Sequence, residues 1–307
     1  MSKAIKVAVI GVGKLGLRHA EVYTKLHGVE LAGVCDLIEH RAKEAAHRFK
    51  TRAHTDYREL LKNVQAASIV VPSEHHYAIS RDFLGHHVHL LIEKPIATTL
   101  EEADKLLALA EEKKLILQVG HIERFNSAVR AAKHVIKTPR FIECHRLGPY
   151  DPRVKDTGVT LDLMIHDIDI ILDLVRSPVK HVDSVGAYIL SKTEDIANAR
   201  IRFMNNTVVD LTASRVTKDI QRKIRVFQDD AYISLDYVTQ EAQIYTRENG
   251  HIHHKKIDIT KSDSLKEELS DFIDCVRTGR QPVVSGREGR DALALALQIS
   301  QQIKDSQ

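Results

Sequence analysis

A short apolar run, Lys6 to Ile10, passes directly into Gly11-Val12-Gly13-Lys14-Leu15-Gly16, and a helical pattern through Leu17, Ala20, Tyr23 and Thr24 follows. Strand, glycine turn and helix in that order leave few folds open. Gly11 permits the tight turn, Gly13 lets backbone approach a pyrophosphate and Gly16 allows close helix–strand packing. Phosphates then sit at the positive end of the helix, with Lys14 and Leu15 completing the candidate loop. A second strand, Glu30 to Cys35, ends in Asp36, twenty residues after Gly16, where a carboxylate can accept both ribose hydroxyls. That carboxylate repels the extra phosphate of NADP, and Leu37 and Ile38 offer it no cation, so NAD is the expected cofactor. Arg41 reads as a solvated helix residue rather than a 2'-phosphate ligand.

Strands and helices alternate to about residue 120. The strands are Ala67 to Val71, His89 to Ile92 and Leu115 to Val119, and the helices are Glu39 to Phe49, His76 to Leu84 and Leu100 to Lys113. This predicts a doubly wound parallel Rossmann sheet. Beyond it the pattern changes to strand-like segments between Phe141 and Thr246, several joined by turn signals such as Asn205-Asn206 and Asp229-Asp230. Helices near Ser264 to Thr278 and Glu288 to Lys304 close the chain. The expected architecture is an α/β dinucleotide-binding domain over 1–120 and an α+β domain over 121–307. The second carries a large, mostly antiparallel open sheet and the substrate site. Its outer face is expected to pair copies into a homodimer or homotetramer.

At 307 residues the chain is ample for two cores, and its net charge of +3 is too small and too dispersed to argue for nucleic acid. Three separated cysteines, Cys35, Cys144 and Cys275, without CxxC spacing, read as reduced thiols of a cytoplasmic protein. There is no apolar stretch of membrane-spanning length, and the first strand leaves no room for a signal peptide. The histidine clusters at His75-His76, His86-His87-x-His89 and His251-x-His253-His254 lack companion cysteines or a zincin spacing. They read as turns and strand faces, so no metal is expected.

Two further stretches carry chemistry. Leu161, Ile165, Ile168, Leu172 and Val175 recur at helical spacing, and Asp162, His166, Asp169 and Asp173 form a polar stripe beside them on a helix that is otherwise apolar almost all round. Acids on a buried helix need partners, water or a ligand, so the stripe is expected to face a polar cavity. His166 is the candidate general base. Asp162, a turn earlier, is placed to hold its imidazole or a sugar hydroxyl, whereas Asp173 reads better as a structurally paired acid. The apolar strand His89 to Ile92 ends in Glu93-Lys94-Pro95, which sets Lys94 at the carboxyl end of a parallel strand, where open α/β sheets bind ligands. Proline at 95 allows a cis bond. Taken alone, Lys94 reads as an exposed turn residue.

Together these residues resemble the glucose-fructose oxidoreductase, inositol dehydrogenase and rhizopine catabolism (Gfo/Idh/MocA) family essentially from end to end. Gly11, Gly13, Gly16, Arg18, His19 and Ala20 are similar to its nucleotide loop and helix. Pro72 with His76 resembles its strand-end segment, Glu93-Lys94-Pro95 its signature tripeptide, and Gly158 with Asp162 and His166 its substrate helix. The resemblance implies cofactor contacts at Pro72, His76, Glu93 and Lys94, and hydride-transfer roles for Lys94 and His166 with Asp162 binding substrate. Within the family, Gly120 to Asn126, Arg146 to Tyr150 and Leu161 to Asp169 are similar to the bacterial UDP-N-acetylglucosamine 3-dehydrogenase subgroup. Those enzymes oxidise a UDP-sugar 3-hydroxyl to a ketone that a partner aminotransferase converts for lipid A or surface sugars. That likeness implies substrate contacts at Arg124, Asn126 and Arg146, with Arg124, Arg146, Arg153 and Lys155 as cations for a diphosphate. Dehydrogenation of a free sugar or inositol, and sugar sensing without catalysis, remain as alternatives. Departures fall at Ser127, at the single Gly158, and at His87, which occupies a left-handed glycine position.

Overall fold

The run at the start of the chain forms β1 (Ile5–Ile10), with Val7 to Val9 fully buried between two parallel neighbours, as the middle strand of a doubly covered sheet requires. The computed structural model of the chain describes residues 4–151, 157–248 and 250–306. In its first sheet β1 is joined by β2 (Val29–Cys35), β3 (Ala53–His54), β4 (Ala66–Ile69), β5 (His89–Glu93) and β6 (Leu117–Gly120), all parallel, in the order β3-β2-β1-β4-β5-β6. Helices α1 (Lys14–Lys25), α2 (Glu39–Phe49), α3 (His76–Gly85) and α4 (Leu100–Glu112) form the crossovers. The start of α4 is fixed by a capping box in which Thr99 Oγ1 accepts from the Glu102 amide at 3.2 Å and the Glu102 carboxylate accepts from the Thr99 amide at 3.3 Å. His87 holds φ of 61°, the left-handed conformation expected of it.

The chain divides into two compact units, and the division is not the single cut expected near residue 120. The first unit comprises residues up to Ile122 together with Asp263–Arg290. The reason is α7 (Ser264–Thr278), whose apolar face of Leu265, Leu269, Phe272 and Ile273 is buried in the same core as Val7, Val9 and Tyr23. The Asp263 carboxylate caps its start and Gly279, at φ +75°, ends it. A helical period shows which face is apolar but not which core the face joins.

The second unit comprises Glu123–Ser262 and the chain from Asp291 on. Its sheet contains β7 (Pro139–Leu147), β8 (Val179–Ala187), β9 (Ile196–Phe203), β10 (Val208–Ser214), β11 (Gln221–Gln228), β12 (Ala231–Asp236), β13 (Glu241–Glu248) and β14 (His251–Lys256). The order is β14-β13-β12-β11-β7-β10-β9-β8, antiparallel except where β7 and β10 run parallel. Ile142, Cys144, Leu211, Ile224, Val226 and Ile233 line the covered face. In the same core lie the inner faces of α5 (Ser127–Lys133), α6 (Ile165–Val175) and the part of α8 (Gly286–Asp305) from Ala292 onward. All three cysteines are buried and unpaired, and burial pushes the Cys35 thiol up to about 12 and Cys275 to about 11, so neither is a ready nucleophile.

One buried ion pair ties the β8–β9 loop to β10. The fully buried Asp195 carboxylate accepts from the amides of Ile189, Leu190 and Ser191 at 2.5–3.0 Å, and from Arg215 Nε at 2.7 Å. Burial pushes its pKa up, but those amides, the Arg215 guanidinium and the Ser191 hydroxyl together outweigh it and hold the carboxyl well below the usual range. A carboxyl whose folded value is depressed contributes stability that is complete above the ordinary value of about 4 and is lost as pH falls below it. Urea titrations at stepped pH are therefore expected to show stability falling between about pH 4 and 2 in the wild type, with a shallower slope in Asp195→Asn, which starts from a lower plateau.

Candidate active site

Each unit presents one half of the chemistry. In the first, Gly11 takes φ +88°, and a Cβ there would come 2.2 Å from the Val70 carbonyl oxygen; a Cβ at Gly16 would come 1.9 Å from that of Gly11. Gly13 differs, because a Cβ on it would meet nothing within 4 Å. It caps α1 with no side chain on the helix amides and no acid in the first turn. The open side and the uncompensated positive helix end fit a pyrophosphate. Exposed Lys14 and half-buried Leu15 begin that turn. Asp36, at the end of β2, accepts from the Val12 amide at 3.0 Å and from the Ile38 amide at 2.9 Å, which holds a carboxylate beside the glycine turn with further acceptor capacity for ribose hydroxyls. Leu37 is 84% exposed next to it.

Lys94 follows directly on β5, half-buried, and the Lys94–Pro95 peptide is cis, as the sequence allowed. The expected cofactor residues around it take structural partners. His76 is buried with Nδ1 2.8 Å from the Pro95 carbonyl and Nε2 2.9 Å from that of Val71; a neutral ring donates to only one of them, and burial lowers its pKa. It braces the Lys94-Pro95 turn against the end of β4, whereas Pro72 beside it is exposed. The Glu93 carboxylate lies 3.2 Å from Nε2 of fully buried His19, in space that Gly120 leaves, since a Cβ at 120 would come within 2.8 Å of it. His76 and Glu93 thus fix the geometry of the strand end.

In the second unit the helix of interest starts as one π-helical turn, Thr160–Met164, and continues as α6. Such turns recur at functional sites because they displace side chains from the regular α spacing. Asp162 and His166 lie on it half-buried, four residues apart and on one side, and the Asp162 amide donates to the Gly158 carbonyl at 3.0 Å. Beyond His166 the stripe meets cations inside the unit, the structural pairing expected of Asp173. Asp169 and Asp173 are bound by Arg124, each at 3.2 Å, and Asp173 also by Lys133.

Arg124, Asn126 and Arg146, expected as substrate contacts, have partners inside the unit. Arg146, 3% exposed, donates Nε and Nη2 to Asp167 at 2.9 Å each and Nη1 to Glu123 at 3.1 Å, with its guanidinium 5.2 Å from the Tyr237 ring. Burial opposes its charge, but Asp167 and Glu123 more than compensate and raise its pKa above the ordinary arginine value. Asn126 caps α5 through its side-chain oxygen and donates to Glu123 and the Tyr237 carbonyl, both at 3.2 Å. These residues fasten the helix inside the unit, Arg146 through Asp167 off the polar stripe and Arg124 through Asp169 and Asp173 on the stripe itself. Arg153 and Lys155 lie outside the described residues. Sequence reasoning missed Asp167 and Glu123 as partners; the signal was Asp167 itself, an acid off the polar stripe of an apolar helix. Among the described residues no group of three or more His, Cys, Asp or Glu side chains is placed to hold a metal ion.

A Rossmann unit with a glycine turn and a ribose-side acid, linked to a unit that presents an acid and a histidine on a buried helix, defines a nicotinamide-dependent oxidoreductase. The chain belongs to the GFO/IDH/MocA oxidoreductase family: residues 5–121 match the NAD-binding Rossmann fold of that family and 129–234 its C-terminal domain. It is 37% identical to UDP-N-acetylglucosamine 3-dehydrogenase of Acidithiobacillus ferrooxidans over 96% of each chain, and a solved structure of that enzyme superposes with a TM-score of 0.94 over 99% of each. It is also 26% identical to myo-inositol 2-dehydrogenase of Thermotoga maritima over 98% of this chain and 97% of the relative.

Arg146→Met removes the charge while keeping the length, leaving Asp167 and Glu123 buried without their cation. Urea unfolding should show a loss of about 3–5 kcal/mol. A stable variant with only a raised KM for a charged substrate would instead return Arg146 to ligand binding.

Proposed function

We propose that this protein oxidises the 3-hydroxyl of UDP-N-acetylglucosamine to the ketone with NAD as hydride acceptor. The observation that carries this reading is the 37% identity over 96% of both chains to an enzyme of that activity. Lys94, Asp162 and His166 are all present with the context their roles need. Bound NAD supplies the electrophilic carbon that accepts hydride. Loss of hydride from a carbinol carbon becomes favourable as the hydroxyl proton leaves, which calls for a general base, and His166 fills that role. Lys94 polarises the reacting oxygen, and Asp162 steadies the imidazolium or holds a neighbouring hydroxyl. The ketone is then a substrate for amination, the kind of step that builds amino sugars for lipid A or surface polysaccharide in the cytoplasm.

A free polyol is the second reading, favoured by the myo-inositol 2-dehydrogenase relative and by the engagement of Arg124 and Arg146 in internal ion pairs. A homodimer or homotetramer is supported by the aromatic residues on the other face of the second sheet. Phe141, Phe227, Tyr232, Tyr245 and His254 stack there across five strands with ring centroids 4.6–5.7 Å apart, at positions that alternate with the buried Ile142, Val226 and Ile233.

The test is NADH formation with UDP-N-acetylglucosamine, its uronate, free glucose and myo-inositol, in the presence of a ketone trap, with light scattering on the same preparation. The expected result is turnover confined to UDP-sugars by a dimer or tetramer. His166→Ala should bind NAD normally and turn over about 10²–10⁴-fold more slowly. Turnover of myo-inositol alone would establish the second reading, and NAD binding without turnover of any compound would leave a sensor.

A further inference from the structure

The start of the substrate helix is built around a residue that the oxidoreductase chemistry does not use. Glu194, 2% exposed, lies near the end of the β8–β9 loop and meets the start of that helix twice. Its backbone carbonyl accepts from the Val159 amide at 3.0 Å, and its carboxylate accepts from the Thr160 amide at 3.3 Å. The carboxylate occupies the place where a side chain on residue 158 would begin, since a Cβ on Gly158 would come 2.2 Å from it. A side chain at 158 would have to displace this carboxylate, so Gly158 leaves its space by clearance and not by an unusual φ. The Gly158 carbonyl in turn accepts from the Asp162 amide at 3.0 Å, so the seat of Glu194 is one hydrogen bond removed from the backbone of Asp162.

Glu194 is itself held firmly. Its neighbour Asp195 is the buried partner of Arg215, and Arg215 Nη1 donates to the Thr157 carbonyl at 2.7 Å, just before the turn. Two strands and a loop thus converge on residues 157–160. A carboxylate on the opening amides of a helix satisfies donors that no helical carbonyl reaches and complements the helix dipole.

We propose that Glu194 is a positioning residue. Its carboxylate, seated on the Thr160 amide in the space left by Gly158, sets the rotation and rise of the helix start and so aims Asp162 and His166 at the substrate. This rests on the hydride-transfer reading above. A misplacement of about 1 Å in such groups can cost on the order of 10²-fold in rate.

The test uses the NAD-bound full-length protein with Glu194→Ala, Glu194→Asp and Glu194→Gln. NADH affinity, a property of the first unit, counts competent sites. Per competent site, Glu194→Ala should lose about 10- to 100-fold in kcat, with KM changed less than about threefold. Glu194→Asp, which withdraws the carboxylate by one methylene, should also fall, whereas Glu194→Gln, which keeps the acceptor and the volume, should stay within about threefold of wild type. A residue that only stabilises the fold would lower the melting temperature and leave kcat per site unchanged in all three, and that result overturns the proposal. If the wild type turns over none of the sugars, the functional reading fails, and crystal structures of wild type and Glu194→Asp decide the positioning claim separately. Displacement of residues 158–166 in the variant supports it; superposition of those residues overturns it.

Discussion

Much of the second unit depends on the cations that pair the acids of one helix. Asp167, Asp169 and Asp173 sit on α6 in an apolar core, where an isolated carboxylate would be untenable. Arg146 takes Asp167 bidentately and shares Glu123, while Arg124 bridges Asp169 and Asp173. Pairing of this kind contributes little net stability compared with an apolar core of the same shape, but it fixes register, since a shift of one residue would strand several charges at once. The cations hold the helix by its acids, and Glu194 meets its start, next to the turn that carries Asp162 and His166.

The first unit relies on clearance more than charge. Gly11 and Gly16 exist because backbone oxygens lie where their Cβ atoms would be, and Gly120 leaves room for the Glu93 carboxylate. Within the glycine turn only Gly13 opens onto free space. The glycines thus have two roles: three permit protein to approach protein, and one permits a ligand to approach the helix end. His19 and His76 then brace the strand end that carries Lys94.

The parts of this architecture legible in the sequence were those governed by local rules. The glycine turn, Asp36 at the end of β2, the cis Lys94–Pro95 bond and the left-handed His87 each follow from chemistry within a few residues. Partners distant in sequence were not legible. An arginine reads the same whether it faces a diphosphate or a buried aspartate 21 residues away, and only folding places Arg146 on Asp167. The helical period of α7 did not disclose that its face belongs to the first core, and the strand patterns of β7 and β10 did not disclose that they pair in parallel. The π turn at Thr160–Met164 was read as α helix because its apolar spacing is too short to separate the two periods. Gly158 was visible as a motif, but its reason, a carboxylate from position 194, lies 36 residues on.

If the helix is fastened by these ion pairs, its backbone should open only when the second unit unfolds. Hydrogen exchange measured by mass spectrometry on peptides spanning 160–175 tests this most directly. The expected result is protection equal to that of the β7 and β10 core strands, governed by global unfolding. Exchange orders of magnitude faster than those strands, with the sheet still protected, would show that the ion pairs do not hold the helix and would contradict the account.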